Sequence, residues 1–404
     1  MVRPSGNADV TRSAILAFLG TSGGASRADL ARALGVSPAL MTQLIKELIA
    51  DGLVRELSMS PSSGGRPARM LGLATAAGRV VGMKISKDHV AFVETELSGH
   101  VVRSGNRAYD ASSITSLSDV VSLVQSFVGE DRVTPLLGIG VGVPGSVDAQ
   151  GSGVVDSSLL GWRQVPLGAV LSRELHVPVL VENNVNALAV AERLYGSGRE
   201  HAEFLVVTIG EGVGAGFVTG GAVVRGSRGG AGEIGHIPAV ADGPLCTCGN
   251  HGCIEALIGE KTLVANARQS GIISSTETMS DLQERANDGD PLAQDIFRGA
   301  GQPLGRIVAG LVQTLDPEIV IISGEGTRGW RHWAAGFERS FRGSLTADRR
   351  SIPVIVESWD DEAWARGAAA LVASAPFYSE ESSGEQGRRV RARLTHVPAE
   401  VGVL

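Results

Sequence analysis

The sequence predicts an α/β protein of more than one domain, in which a body of alternating strands and helices follows a small winged helix-turn-helix. Three observations predict it. The 404 residues exceed the length of one ordinary domain. The first 76 residues read as short helices broken by glycine turns and followed by two short strands, whereas from Ala77 onward apolar strands alternate with helical stretches. Glycine is abundant (54) and aromatic residues are few (4%), which suits many tight strand-to-helix turns.

An apolar fraction of 43% with 20% charged residues is that of a soluble globular protein. No apolar run reaches a membrane-spanning length, and residues 1–9 lack signal-peptide character, so a cytoplasmic protein with no membrane partner is expected. The net charge of −7 argues against a general nucleic-acid binder but hides an asymmetry. Residues 1–79 hold nine Arg and Lys against five Asp and Glu, a net of +4, which leaves −11 for the remainder. A basic module on an acidic body points to DNA at one end of the chain and a different ligand at the other.

In the N-terminal module, Ile15, Leu16, Phe18 and Leu19 form a helical stripe that Gly23-Gly24 stops. Ser26 caps a short helix from Arg27 to Leu34, and Gly35 breaks it. Ser37-Pro38 then opens a third helix to about Asp51, with Leu40, Leu44, Ile45 and Leu48 as its buried face. Leu53–Leu57 and Met70–Leu73 read as the two strands of a wing. On the third helix Ala39, Thr42, Gln43 and Lys46 face outward, where Gln43 can read adenine in the major groove and Lys46 can hold phosphate. The wing tip Gly65-Arg66-Pro67 suits a narrow minor groove, with Arg69 as a further basic contact. Residues 1–76 are thus expected to be a DNA-binding domain, with Thr42, Gln43, Lys46, Arg66 and Arg69 on operator DNA.

The body opens with paired strands, Arg79–Ile85 and Val90–Leu97, and continues with a helix at Leu117–Val128 and a buried strand at Leu136–Val143 that runs into Pro144-Gly145. Val179–Val181 leads into Glu182-Asn183-Asn184-Val-Asn186 and a helix to Leu194. Phe204–Ile209 is a buried strand ending in the glycine-rich stretch from Gly210 to Gly216. Lys261–Leu315 is mostly helical, Ile319–Ile322 is another buried strand, and Asp361–Ser374 is a closing helix. The tail, residues 376–404, lacks periodicity and is expected to be mobile.

All three cysteines fall within eight residues, Cys246-Thr-Cys248-Gly-Asn-His-Gly-Cys253, and His236 stands ten residues before the first. A Cys-x-Cys turn places two thiolates on one ion, Gly249 and Gly252 let the chain double back for the third, and His236 completes a Cys₃His tetrahedron. Four protein ligands, His236, Cys246, Cys248 and Cys253, leave no open position, so the expected zinc ion is structural. Folding the loop also draws Glu233 and Glu255 toward His236. Two carboxylates and an imidazole edge can bind several hydroxyls at once, which is the equipment of a sugar or polyol site.

These motifs, Gly-Glu-x-Gly-His at 232–236 and Cys-x-Cys-Gly-x-x-Gly-Cys-x-Glu at 246–255, carry a resemblance to the ROK family, named for repressors, open reading frames and kinases. The resemblance runs from Arg79 to about Ala375. It implies a two-lobed actin-like or ribonuclease-H-like ATPase fold over residues 77–375, with lobe one at about 77–183 plus 361–374 and lobe two at about 184–360. It further implies sugar contacts from Asn183, Glu233, His236 and Glu255, with Gly145 as an additional candidate.

The same resemblance locates what is missing for catalysis. Kinase members have an Asp-x-Gly-Gly-Thr-Lys phosphate loop after the first strand, where this chain has Lys84-Ile-Ser-Lys87-Asp88-His89. They have Glu-Asn-Asp-x-Asn, whose aspartate takes the proton from the attacking hydroxyl, where this chain has Asn184. A neutral amide cannot accept that proton, although it can still hydrogen-bond a sugar hydroxyl. Ser323-Gly324-Glu325 also replaces an adenine-side glycine run. The expected function is therefore a sugar-responsive transcriptional repressor without catalytic residues, acting as a homodimer or dimer of dimers. The alternative is a sugar kinase with an accessory DNA-binding domain.

Overall fold

The computed structural model describes residues 11–12, 15–16, 18–19, 24–59, 68–74, 78–129, 134–148, 152–357, 360–375 and 380–395. It divides into two compact units, Met1–Arg199 with Asp361–Leu404, and Glu200–Asp360.

The first unit begins with helical residues 11–12, 15–16 and 18–19, whose Ile15, Leu16 and Leu19 are buried. The short strand β1 (Ala25–Ser26) leads into α1 (Arg27–Ala33) through a capping box. Ser26 Oγ accepts from the Asp29 N–H, and the Asp29 carboxylate accepts from the Ser26 N–H. Helix α2 (Pro38–Ala50) starts with Ser37 Oγ accepting from the Leu40 N–H at 3.3 Å and proline at the first turn. Its buried face is Met41, Leu44, Ile45 and Leu48, while Leu40 is 39% exposed. This corrects the expected face by one position. Met41, Leu44, Ile45 and Leu48 keep the i, i+3, i+4, i+7 spacing that one helix side requires, and Leu40 does not. Strands β2 (Val54–Met59) and β3 (Arg69–Leu73) pair antiparallel, with Glu56 opposite Leu71, and β3 also pairs with β1. This is the winged hairpin; its tip, with Gly65, Arg66 and Pro67, lies outside the described residues.

The rest of the unit is built on a five-stranded sheet in the order β11-β7-β4-β5-β6. Strands β4 (Arg79–Ile85), β5 (His89–Glu96) and β6 (Val101–Ala108) form an antiparallel meander. After helix α3 (Ser116–Val128), β7 (Leu136–Val143) joins β4 in parallel. The strands β8 (Ser146–Val147), β9 (Val155–Ser157) and β10 (Trp162–Val165) form a small separate sheet. Helix α4 (Leu167–Leu175) returns the chain to β11 (Val179–Asn183), parallel to β7, and α5 (Asn184–Tyr195) follows at once.

The second unit repeats this topology. Strands β12 (Phe204–Ile209), β13 (Val213–Thr219) and β14 (Ala222–Val223) are an antiparallel meander, and β15 (Ile319–Ser323) and β16 (Val354–Val356) add in parallel on the other side of β12. Helices α6 (Ile254–Ile258), α7 (Glu260–Gln269), α8 (Met279–Asn287), α9 (Pro291–Leu315) and α10 (Trp330–Ser344) surround it. Leu304 and Val308 of α9, and Phe337 and Phe341 of α10, are fully buried in one core with Phe297. Two sheets of the same mixed order, each with its own helices, are the actin-like, ribonuclease-H-like architecture that the sequence suggested.

Helix α11 (Asp361–Ser374) returns the chain to the first unit and lies so close to its sheet that two strand positions must be glycine. A Cβ at Gly82 would meet the Ala365 carbonyl oxygen at 2.0 Å, and one at Gly140 the Ala368 oxygen at 1.8 Å. Helix α5 packs on α11 along Ala187–Ala191, with Gly367 against the Leu188 backbone. That contact lies within the first unit, which runs to Arg199 before the chain enters the second.

The tail also departs from expectation. Residues Glu380–Thr395 form α12, broken in geometry at Gly384 (φ 59°), with Val390 and Leu394 buried to 0% and 1% exposure. Arg393 donates to the carbonyls of Leu136 and His176, both at 2.8 Å. An i, i+4 apolar pair and an arginine over one carbonyl at a strand start and one at a helix C-cap suffice to dock a helix that is otherwise polar.

Candidate metal, ligand and DNA sites

The metal loop is shaped by backbone hydrogen bonds before any ion is considered. Cys246 N–H donates to the Asn250 carbonyl at 2.7 Å, Gly252 N–H to Pro244 at 2.9 Å, and Ile254 N–H to Ile237 at 3.0 Å. Gly249 and Gly252 sit at φ 91° and 72°, and a Cβ at Gly252 would strike the Val240 oxygen at 1.9 Å. The result gathers one donor atom from each of His236, Cys246, Cys248 and Cys253 within 4.8 Å of one another. His236 Nδ1 is 3.5 Å from Cys246 Sγ, and the Cys248 and Cys253 sulfurs are 3.7 Å apart. A tetrahedral ion with metal–sulfur bonds of about 2.3 Å needs donor separations of roughly 3.8 Å, so the residues present fit a single metal ion.

His236 ends a 3₁₀ turn, Ile234–His236, and turns its Nε2 toward Glu233 Oε2 at 3.9 Å. Partial burial pushes the Glu233 carboxyl above its ordinary pKa, against the pull of His236, and the nearby Glu255 charge adds to the rise. Glu255, in the first turn of α6, accepts from the Val213 N–H at 3.2 Å. The fold thus brings Glu233, His236 and Glu255 together beside the metal loop, with Glu233 the most accessible of the three.

In the first unit, Asn183 is the N-cap of α5. Its Oδ1 accepts from the N–H groups of Val185 (2.8 Å) and Asn186 (3.3 Å), and its Nδ2 donates to the Gly145 carbonyl at 2.8 Å. Gly145 has φ 97°, and a Cβ there would meet the Asp156 oxygen at 2.3 Å. Asn183, Asn184 and Gly145 therefore stand together. Asn184 is half-buried, with its Oδ1 accepting from Val185 N–H at 3.0 Å. Asn186, at the third position of the same Asn-rich helix start, has a different place. It is buried, donating to Glu182 Oε1 at 3.1 Å, while the same Glu182 oxygen accepts the Asn183 N–H at 2.9 Å. This buried pair fixes where α5 begins.

The turn between β4 and β5, where the resemblance expects a phosphate loop in kinases, is filled by an ionic cluster. Asp361, at the start of α11, accepts from Lys84 Nζ and from His89 Nε2, each at 3.1 Å, and Lys84 also lies over the Trp364 ring. In the second unit the glycine-rich turn between β12 and β13 carries carboxylates. Glu211 pairs with Lys261 at 3.2 Å, and Glu325 comes close enough to block a side chain at Gly210. Burial raises the pKa of Glu260, and the charges of Glu211 and Glu325 raise it further.

On the DNA-binding module, Thr42, Gln43 and Lys46 are all exposed on one side of α2. Thr42 Oγ1 donates to the Pro38 carbonyl, and Gln43 Nε2 to Glu47. Arg69 is exposed but paired with Glu56, and Arg66 lies outside the described residues. No described helix is long and apolar enough to cross a membrane.

The MarR family model matches residues 9–61 and the ROK family model residues 80–375. The xylose repressor of Bacillus subtilis is 29% identical over 300 residues, covering 74% of this chain and 77% of its own. The DNA-binding transcriptional dual regulator NagC of Escherichia coli is 26% identical over 384 residues, covering 91% and 94%. The crystal structure of a ROK family transcriptional regulator, a homolog of the Escherichia coli MLC protein, superposes with a TM-score of 0.79 at 24% identity over 96% of this chain and 99% of that one. With the Gly-Glu-x-Gly-His turn, the Cys₃His loop and two sheets of matching topology in place, and a family model that spans most of its length, the chain belongs to the ROK family.

Proposed function

We propose that this chain is a sugar-responsive transcriptional repressor. The winged module binds operator DNA as a homodimer or dimer of dimers, and the body senses a sugar without phosphorylating it. Zinc, held by His236, Cys246, Cys248 and Cys253, braces the loop that carries Glu233 and Glu255. Those carboxylates and His236 are assigned to sugar hydroxyls, and Asn183, Asn184 and the Gly145 backbone are further candidate hydroxyl contacts.

The observation that supports the reading is Asn184 at the position where the resemblance expects the kinases' catalytic aspartate, beside side chains suited to hydroxyls. An amide at that position cannot accept the proton that phosphoryl transfer releases. The turn at Lys84 supports the same conclusion, because Asp361 places a carboxylate there, and polyphosphate would have to displace it. At the second unit's glycine turn Glu211, Glu260 and Glu325 add like-charge repulsion. Sugar acts on DNA binding only if it binds the two states of the protein with different affinity.

The test combines thermal shift with DNA binding by fluorescence anisotropy, using a duplex selected from a random pool by the protein itself. Xylose, other pentoses, hexoses and amino sugars are screened. A true effector at a hundredfold its Kd stabilises by about 2.7 kcal/mol, which raises the melting temperature by roughly 5–10 °C. It also changes DNA affinity, and Glu233→Ala abolishes both effects. If DNA binds and no sugar moves either signal, the sensor reading fails; sugar-dependent ADP release from ATP would establish the kinase instead.

A further inference from the structure

The wing strand and the first helix of the helix-turn-helix are joined by one carboxylate. Glu56, on β2, accepts from Arg27 Nη2 through Oε1 at 3.0 Å and from Arg69 Nη1 through Oε2. All three side chains remain partly exposed, at 35%, 32% and 57% for Arg27, Glu56 and Arg69. The two guanidinium groups hold the Glu56 carboxyl below its usual pKa, so it is anionic at neutral pH. A second observation says which way this bridge faces. Arg27, Arg32 and Thr42 line one open cleft, floored by Ala28, Ala31, Val36 and Pro38, between α1 and α2. Thr42 belongs to the exposed face of α2, so Arg27 and the DNA-reading side of that helix share a surface.

We propose that Arg27 is a further DNA-backbone contact and that Glu56, by holding Arg27 and Arg69, restrains the affinity of the winged module for DNA. This rests on the reading of that module as a DNA binder. Two arginines with one carboxylate between them present a net charge of one to a phosphate strand, where two would be available without it. Solvent-exposed bridges of this kind are weak, so phosphate can draw the arginines away at small cost. The arrangement keeps non-specific binding low, because sequence-independent affinity follows the number of phosphates neutralised. Operator binding, with its base contacts, tolerates the handicap better.

The experiment measures anisotropy of a fluorescein-labelled 30-base-pair duplex of mixed sequence on the full chain, from 50 to 200 mM salt. Glu56→Gln is expected to bind about three- to tenfold more tightly at 50 mM salt, with a steeper dependence on salt. Arg27→Gln is expected to flatten that dependence by about 0.9 in log–log slope, both alone and in the Glu56→Gln background. Arg27→Lys should restore the slope, and this pair carries the test if Glu56→Gln fails to fold. A bridge that only staples the wing to α1 predicts the opposite for Glu56→Gln, namely weaker binding with an unchanged slope. That result, or a wild-type slope in Arg27→Gln, overturns the proposal. A wild-type protein that binds neither this duplex nor a selected one removes the DNA-binding reading itself, and the proposal with it.

Discussion

Replacing Leu394 by alanine tests whether the C-terminal helix is part of the fold. Leu394 is 1% exposed and sits one turn after the fully buried Val390, which touches the space over Gly138 on β7. Leucine-to-alanine changes at such positions cost about 2–5 kcal/mol. The helix lies at the edge of the first unit, where partial collapse is possible, so a value near 3 kcal/mol is expected. At roughly 2 °C per kcal/mol for a body of this size, the first unit should melt about 6 °C lower. A point substitution is better than truncation, since removing the helix also removes the entropy cost of ordering it. Two separate units make a single melting curve ambiguous, so hydrogen exchange read by mass spectrometry is the decisive assay. Peptides covering residues 136–143 and 179–183 should exchange faster, because Arg393 closes on the Leu136 carbonyl and Gln386 accepts from the Val179 N–H at 3.4 Å. Peptides covering 204–209 and 319–323 should not change. A loss below about 0.5 kcal/mol, the range of inert surface substitutions, with unaltered exchange on β7 and β11, would refute the docked helix. It would also return the tail to the mobile segment that the sequence suggested.

Two further outcomes follow from the side-chain clusters. Burial raises the pKa of Asp361, but Lys84 and His89 together hold it below the ordinary value, so its stabilisation is present above about pH 4 and lost as pH falls through the lowered pKa. The difference in melting temperature between wild type and Asp361→Asn should therefore shrink toward zero from pH 7 to pH 3, and a constant difference would mean that the ion pairs contribute nothing. Stripping the metal with a chelator should remove about one zinc ion per chain and the thermal response to sugar, while the mixed duplex still binds; Cys248→Ser should purify without stoichiometric zinc, and full zinc occupancy in that variant would disprove the ligand set.

What could be read from the sequence was what local spacing determines. The Cys-x-Cys turn, its two glycines and His236 lie within a short stretch, so their convergence follows from chain geometry. The capping box at Ser26 and Asp29 and the Ser37-Pro38 start are likewise local, and both helices begin where those residues place them. Side chains that meet through topology left no such signal. Lys84 and Asp361 are 277 positions apart, and only the packing of α11 against β4 brings them together. The same holds for Arg27 and Glu56, which belong to different elements whose exposed faces carry no periodic mark.

The tail shows the limit from the other side. Its apolar residues are too sparse for an amphipathic helix to be recognised, and Gly384 interrupts the run. Val390 and Leu394 are enough because the surface they meet is already assembled, so the helix needs only to fill a site and not to create one. Asn186 illustrates the same dependence at the start of α5. Taken alone it is one of three asparagines at a helix start, but burial beside Glu182 makes it a fixed support, while Asn183 and Asn184 remain the accessible pair. Burial decides which of three identical side chains can meet a ligand, and burial depends on the finished packing of α5 against α11.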